Sequence, residues 1–195
     1  MRTPLQRIGL FGGSFDPVHL GHLLVAHAAC EEFALDRLFF IVAARAPLKV
    51  NDHSAPAEVR ARLLRLALAG QPHFEIDEQE IARGGVSYTI DTVNNYRARF
   101  PEASLCYLIG ADHLSLLPKW RAAEELAACV EFLVIPRPGQ TVATLPPPFR
   151  GRVLQGFPCG ISSSQIRARI KAGQPVDFLV PPAVAENIRN NRLYL

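Results

Sequence analysis

Two histidines three residues apart, His19 and His22, lie in the run Gly12-Gly13-Ser14-Phe15-Asp16-Pro17-Val18-His19-Leu20-Gly21-His22. If this run leads from a strand into a helix, its paired glycines let backbone amides approach an anion closely. The helix N-terminus then directs its partial positive charge at the same point. Residues three apart on a helix share a face, so both imidazoles can reach one ligand. Such a pair can donate hydrogen bonds to phosphate oxygens, and more strongly as charge grows in a transition state. Gly21, between them, removes a side chain and leaves room for a ligand atom. Two other readings of these residues stay open. Asp16-Pro17 makes a helix start by itself, with Asp as the cap and Pro in the first turn. A His-x-x-His pair can also bind a metal, although no third ligand with clear spacing accompanies it. The run is neither a P-loop, for want of Gly-Lys-Ser/Thr, nor a G-x-G-x-x-G dinucleotide loop.

A second cluster is Ile161-Ser162-Ser163-Ser164-Gln165-Ile166-Arg167. Ser162 and Gln165 have the spacing of a capping box. That leaves Ser163, Ser164 and Arg167 around a helix N-terminus, a seat suited to β- and γ-phosphates. Gly110-Ala111-Asp112 comes after a buried apolar run, where a carboxylate can accept hydrogen bonds from ribose hydroxyls or simply cap a helix. Trp120 is the only tryptophan, and it is either a packing residue or an aromatic platform. Ser87-Tyr88-Thr89 reads as another helix start, with Ser87 as the cap or the turn as an anion site.

The elements that must position these residues alternate. Ile8 to Phe11, Leu38 to Val42, Phe74 to Ile76, Leu105 to Ile109 and Phe132 to Ile135 read as strands. Leu23 to Phe33, Ala57 to Leu68, Tyr88 to Phe100, Ser163 to Ala172 and a segment after Pro181-Pro182 read as helices. Strands that are continuously apolar, with helices between them, indicate a parallel sheet covered on both faces. Right-handed crossovers then predict an α/β, Rossmann-like, doubly wound fold in a single domain, residues 1–195. Ligands in such folds bind beyond the carboxyl ends of the strands, which selects the loops after Phe11, Val42, Ile76, Ile109 and Ile135. From Pro136 to Gly160, ten of 25 residues are Pro or Gly, so residues 136–160 read as a loop and 161–195 as a helical C-terminal part.

Composition excludes several classes. The chain has 195 residues, 49% hydrophobic and 20% charged, enough for one filled core and too apolar for disorder. No apolar run approaches the ~20 residues that span a bilayer. The first residues lack a secretory signal, so the expected location is the cytoplasm. Cys30, Cys106, Cys129 and Cys159 form no C-x-x-C pair, which suits reduced thiols rather than a zinc site or disulfide framework. The net charge of +3 does not point to nucleic acid, but residues 137–195 hold eight Lys and Arg against two Asp and Glu. A basic final third suits a small polyanion such as a triphosphate, or a solvated cationic face.

The run GLFGGSFDPVHLGH resembles the signature of the H-x-G-H nucleotidylyltransferase superfamily, relatives in fold of class I aminoacyl-tRNA synthetases. Within it the run is similar to the bacterial nicotinate-nucleotide adenylyltransferase family. The resemblance implies an ATP site lined by Gly12, Gly13, Ser14 and Phe15, with His19 and His22 on the nucleotide's phosphates. Ile161 to Arg167 matches the family's I-S-S-[ST]-x-I-R, which holds the triphosphate there through the counterparts of Ser163, Ser164 and Arg167. Gly110 and Asp112 match its G-A-D motif at the ATP site. Leu117-Pro118-Lys119-Trp120 matches L-x-x-W, whose aromatic stacks on the pyridine ring of nicotinate mononucleotide. Arg83 to Thr89 resembles R-x-G-x-S-Y-T, where the Tyr-Thr portion meets the nicotinate carboxylate, implying that role for Tyr88 and Thr89. Arg137-Pro138-Gly139 matches R-P-G, making Arg137 an acceptor or phosphate contact. Leu179-Val180-Pro181 and Asn187-Ile188 match the C-terminal pattern, so the likeness covers nearly the whole chain.

One stretch departs from the family. Where it has P-x-G-x-P-P-H-K, this chain reads Val42-Ala43-Ala44-Arg45-Ala46-Pro47-Leu48-Lys49, keeping only Pro47 and Lys49. Lys49 is the residue there placed to meet an acceptor phosphate. The implied reaction is adenylyl transfer from ATP to nicotinate mononucleotide, with catalytic roles for His19, His22 and Arg167. An acceptor phosphate with a second pKa of about 6 is already an anion, so no general base is needed. Without a carboxylate cluster, no protein-held metal is expected, and Mg²⁺ would arrive on ATP. The expected partners are these small molecules, not nucleic acid or membrane, with room for a homo-oligomer. Phosphopantetheine adenylyltransferase and a non-catalytic nucleotide-binding regulator are the alternatives.

Overall fold

Six short strands carry the apolar runs: β1 (Arg7–Gly13), β2 (Arg37–Val42), β3 (Phe74–Asp77), β4 (Ser104–Gly110), β5 (Glu131–Ile135) and β6 (Gly151–Val153). In the computed structural model, which describes residues 6–45, 54–139, 144–157 and 159–195, they form one sheet in the order β3-β2-β1-β4-β5-β6. Every neighbouring pair is parallel. This is the doubly wound arrangement expected from continuously apolar strands.

Alternation across the strands divides the core into two layers. Phe11, Leu38, Phe40, Cys106, Leu108 and Leu133 face one side, with α1 (Leu20–Phe33), α2 (Ala57–Leu68), α6 (Ser163–Lys171) and α7 (Pro182–Asn190) packed over them. Ile8, Leu10, Phe39, Tyr107, Phe132 and Val134 face the other. That side is covered by α4 (Thr89–Arg99), a 3₁₀ segment (Ala111–Lys119) and α5 (Ala123–Cys129). A short α3 (Gln79–Arg83) comes directly after β3.

Chain order places β1 at the centre, with β2 and β3 wound to one side and β4 to β6 to the other. Between β1 and β4 the connections leave in opposite directions, so a crevice opens at their carboxyl ends. The loops selected from the sequence meet there.

Four of the readings left open or expected from the sequence need correction. The first helix begins at Leu20 with His19 as its N-cap, so Asp16-Pro17 does not start it. Ser87 and Asp112 are not caps either: Tyr88 precedes α4 and Gly110 precedes the 3₁₀ segment. The Pro/Gly-rich stretch 136–160 is not loop throughout, because Gly151–Val153 adds an edge strand to β5. An edge strand tolerates Pro-rich flanks, since only one of its sides must hydrogen-bond.

Candidate active site

The turn after β1 is shaped by what it must pass under. Phe15 adopts the left-handed region at φ 48°, which folds its ring back over Gly13. A Cβ at Gly13 would lie 2.9 Å from that ring, and one at Gly12 would collide with the Tyr107 hydroxyl. Glycine is therefore required at both positions by close approach. The Phe15 ring meets His22 edge-on, with centroids 5.0 Å apart.

His19 and His22 stack with ring centroids 3.7 Å apart and planes 27° apart. The backbone N–H of His19 donates to Nδ1 of His22 at 3.2 Å. That bond makes Nδ1 an acceptor, so the neutral His22 ring carries its proton on Nε2. His19 is 6% exposed, and its Nδ1 is buried without a hydrogen-bond partner. Burial, helped by the positive charge of Arg137, pushes the His19 pKa down to about 4. Burial first, then His19 and Arg137, hold His22 well below the usual imidazole range. Both rings are neutral donors at physiological pH.

One cavity of about 520 Å³ joins this turn to the other loops. From the first loop it is lined by Gly12, Gly13, Ser14, Phe15, His19 and His22; from the end of β4 and the 3₁₀ segment beyond it, by Gly110, Asp112 and Trp120. Tyr88 and Thr89 come from the start of α4, Arg137 from the end of β5, and Ser163 from α6. Thirteen of the sixteen sequence-selected site residues thus share one space.

The other three differ. Lys49 lies outside the described residues. Ser164 does not line the cavity, and its hydroxyl lies 3.1 Å from that of Ser162. Arg167 does not line it either, and its Nη1 donates to the Asp16 carbonyl at 2.6 Å. The predicted capping box of α6 is present, with Ser162 N–H donating to Gln165 Oε1 at 3.0 Å and Gln165 N–H to Ser162 Oγ at 3.3 Å.

The far end of the cavity is an amphipathic slot. Trp120 stands edge to face with Tyr107, centroids 6.2 Å apart. The Arg121 guanidinium sits 4.7 Å over the Tyr88 ring, and Arg137 pairs with Asp112 at 3.5 Å. Sequence reasoning missed Glu80, Ser87, Tyr107, His113, Lys119, Arg121 and Cys159, which also line this space. Glu80 is buried and accepts a 2.6 Å hydrogen bond from Thr92; burial raises its pKa against that bond. Glu80 ends the polar run Asp77-Glu78-Gln79-Glu80, which in sequence reads as a solvated surface. The Tyr107 hydroxyl, buried and 3.5 Å from Thr89 Oγ1, is pushed up to about 12 by burial. Its signal, an aromatic inside an apolar strand, is that of any core residue.

This arrangement can hold a polyanion against neutral donors at one end and a flat ring with its own anionic substituent at the other. The profile of the cytidylyltransferase-like family matches residues 10–169. The chain is 42% identical over 191 residues to a protein of Opitutus terrae named "Probable nicotinate-nucleotide adenylyltransferase", covering 97% of this chain and 98% of the relative. It is 37% identical over 190 residues to the "Nicotinate-nucleotide adenylyltransferase" of Bacillus subtilis, covering 97% and 99%. Among solved structures it superposes on a Plasmodium falciparum nicotinic acid mononucleotide adenylyltransferase complexed with NaAD. The TM-score is 0.78 at 16% identity, with 97% of each chain covered, a likeness of fold.

Proposed function

The chain belongs to the cytidylyltransferase-like family, among the nicotinate-nucleotide adenylyltransferases, and on that premise we propose how its cavity joins ATP to nicotinate mononucleotide. The products are nicotinate adenine dinucleotide and pyrophosphate. The observation that carries this reading is a single cavity with stacked imidazoles at one end and Trp120, Tyr88 and Thr89 at the other.

The acceptor's 5′-phosphate oxygen forms a bond to the α-phosphorus of ATP as the bond to the bridging oxygen breaks. Pyrophosphate leaves with the electron pair. The nucleophile is an anion near neutral pH, so no proton has to be removed from it. The protein's task is in-line placement and relief of charge on the transferring group. His22 offers its Nε2–H from a fixed tautomer, and His19 lies 3.7 Å away by ring centroid. In a site with little water, preorganised donors of this kind act strongly on developing charge. Gly12, Gly13, Ser14 and Phe15 bring main chain to the nucleotide, Gly110 and Asp112 serve its ribose, and Ser163, Ser164 and Arg167 serve its outer phosphates. Arg167 reaches them by leaving the Asp16 carbonyl.

Trp120 would stack on the pyridine ring, with Tyr88 and Thr89 at its carboxylate and Arg137 and Lys49 on the acceptor phosphate. An anionic carboxylate at the start of α4 is favoured over a neutral carboxamide by the helix's partial positive charge. Among the described residues no group of three or more His, Cys, Asp or Glu is placed to hold a metal ion. In this reading Mg²⁺ would be carried in by the triphosphate, whose charge it would offset. The partners in this reading are the two small molecules, without nucleic acid. A homo-oligomer would not be needed to complete a cavity that one chain already forms. We assign the reaction to the cytoplasm and to one domain spanning residues 1–195; among the described residues no helix is long and apolar enough to cross a membrane.

The test is pyrophosphate release from Mg-ATP with three acceptors: nicotinate mononucleotide, nicotinamide mononucleotide and phosphopantetheine. The acid should exceed the amide by roughly tenfold or more in kcat/KM, about 1.4 kcal/mol of selectivity. Equal rates for acid and amide would overturn the assignment of the α4 end, and a preference for phosphopantetheine would replace the substrate.

A further inference from the structure

Asp16 caps no helix, yet only 3% of its side chain is exposed, beneath the turn that lines the phosphate end. Burial of a carboxylate is costly unless hydrogen bonds replace its water. Its Oδ1 accepts from the Tyr194 hydroxyl at 2.8 Å and from the Ala55 N–H at 3.2 Å. Its Oδ2 accepts no hydrogen bond and faces Arg167 Nη1 at 3.6 Å. The same Nη1 donates to the Asp16 carbonyl at 2.6 Å, and Ser163 donates to the next carbonyl, that of Pro17, at 2.9 Å. The second-last residue of the chain is therefore wired through one carboxylate to the arginine of α6 and to the nucleotide loop.

We propose that Tyr194 is a positioning residue for the ATP end, acting through Asp16 on Arg167. The inference rests on the ATP reading of the cavity given above. With Tyr194 and Ala55 on Oδ1, the carboxylate is held by groups other than Arg167. The guanidinium then keeps one carbonyl bond and a longer ion pair, and can swing to a phosphate at the α6 N-terminus. Without the phenol, the buried carboxylate must draw its missing hydrogen bond from Arg167, which locks the guanidinium away from the ligand. Burial and the Asp16 charge hold the Tyr194 pKa far above its ordinary value, so the hydroxyl stays a donor at every working pH. Leu193 and Tyr194 are partly buried against the core layer on the α1, α2, α6 and α7 side of the sheet, a contact of the ring that does not depend on its hydroxyl.

The experiment is Tyr194→Phe, which keeps the ring, combined with Arg167→Ala in a double-mutant cycle. A non-hydrolysable ATP analogue is titrated calorimetrically without acceptor, and steady-state KM is measured for each substrate. Tyr194→Phe should weaken the analogue roughly tenfold and raise the KM of ATP in step. The acceptor KM and the circular dichroism should be unchanged. In the Arg167→Ala background the same substitution should have no further effect. An analogue affinity within twofold of the unsubstituted chain, or additive losses in the double variant, would overturn the proposal. A chain that binds the analogue but does not use nicotinate mononucleotide sinks the acceptor assignment alone. A chain that fails to bind the analogue at all sinks both.

Discussion

The two ends of the cavity are built by opposite means. The phosphate end joins the turn after β1 to the start of α6, and its groups are buried or half-buried and tied to main chain: His22 by the His19 N–H, Arg167 by the Asp16 carbonyl, Ser163 by that of Pro17. The acceptor end is assembled from three separate segments, around Tyr88 at the start of α4, Trp120 at the end of the 3₁₀ segment and Arg137 after β5. Its polar contacts are solvated pairs, such as Arg137 with Asp112 at 3.5 Å and Arg121 with Asp91 at 3.6 Å, each side chain at least 37% exposed. Exposed pairs contribute ~0–1 kcal/mol and weaken with salt, whereas donors in a dry site keep their strength. The reacting phosphorus would therefore meet a few rigid neutral donors, while choice of acceptor is spread over many weak contacts.

Acid should separate the ends first. His19 has a pKa of about 4 in the fold against 6.5 when unfolded. The unfolded chain therefore binds more protons between these values. Stability is fully present above pH 6.5 and is lost as pH falls toward 4, by about 3 kcal/mol at most from this residue. Chemical denaturation of the ligand-free chain across that window should show the loss, and His19→Gln should flatten it. A chain whose stability is level from pH 6.5 to 4 would show that the phosphate end is not dry. Next in size, His22→Ala should lower turnover by roughly 10²-fold with the fold intact, the scale for one preorganised donor. Turnover near that of the unsubstituted chain would remove the chemical asymmetry between the ends. Smallest, Trp120→Ala should raise the KM of the pyridine nucleotide about tenfold and leave that of ATP within twofold, the effect of losing one aromatic stack. Equal shifts for both substrates would mean the indole only packs against Tyr107.

The same contrast explains how far the chain could be read. Five apolar runs announced the parallel sheet, and the glycines, histidines and serines of the phosphate end were legible because local geometry dictates them in sequence order. The acceptor end was legible at Tyr88, Thr89, Trp120 and Arg137 only through resemblance to known motifs. The 3₁₀ segment holding Asp112 spans nine residues and contains Pro118, which reads against a helix, and α3 and α5 span only five and seven residues. Strand β6 is three residues long inside a Pro/Gly-rich stretch, below the length at which alternation can show. Asp16 was misjudged for a different reason. Asp-Pro has the local chemistry of a helix start, and only long-range partners, Tyr194 and Arg167, reveal that the carboxylate serves the interior.

The crevice between β1 and β4 exists because the backbone departs from the two strands in opposite directions. It is a hollow inherited from the route of the thread, not carved out by particular side groups. Decorations around the brim can thus be exchanged while the foundation stays put, and an ancestor with this layout could have changed its choice of guest without relearning how to fold.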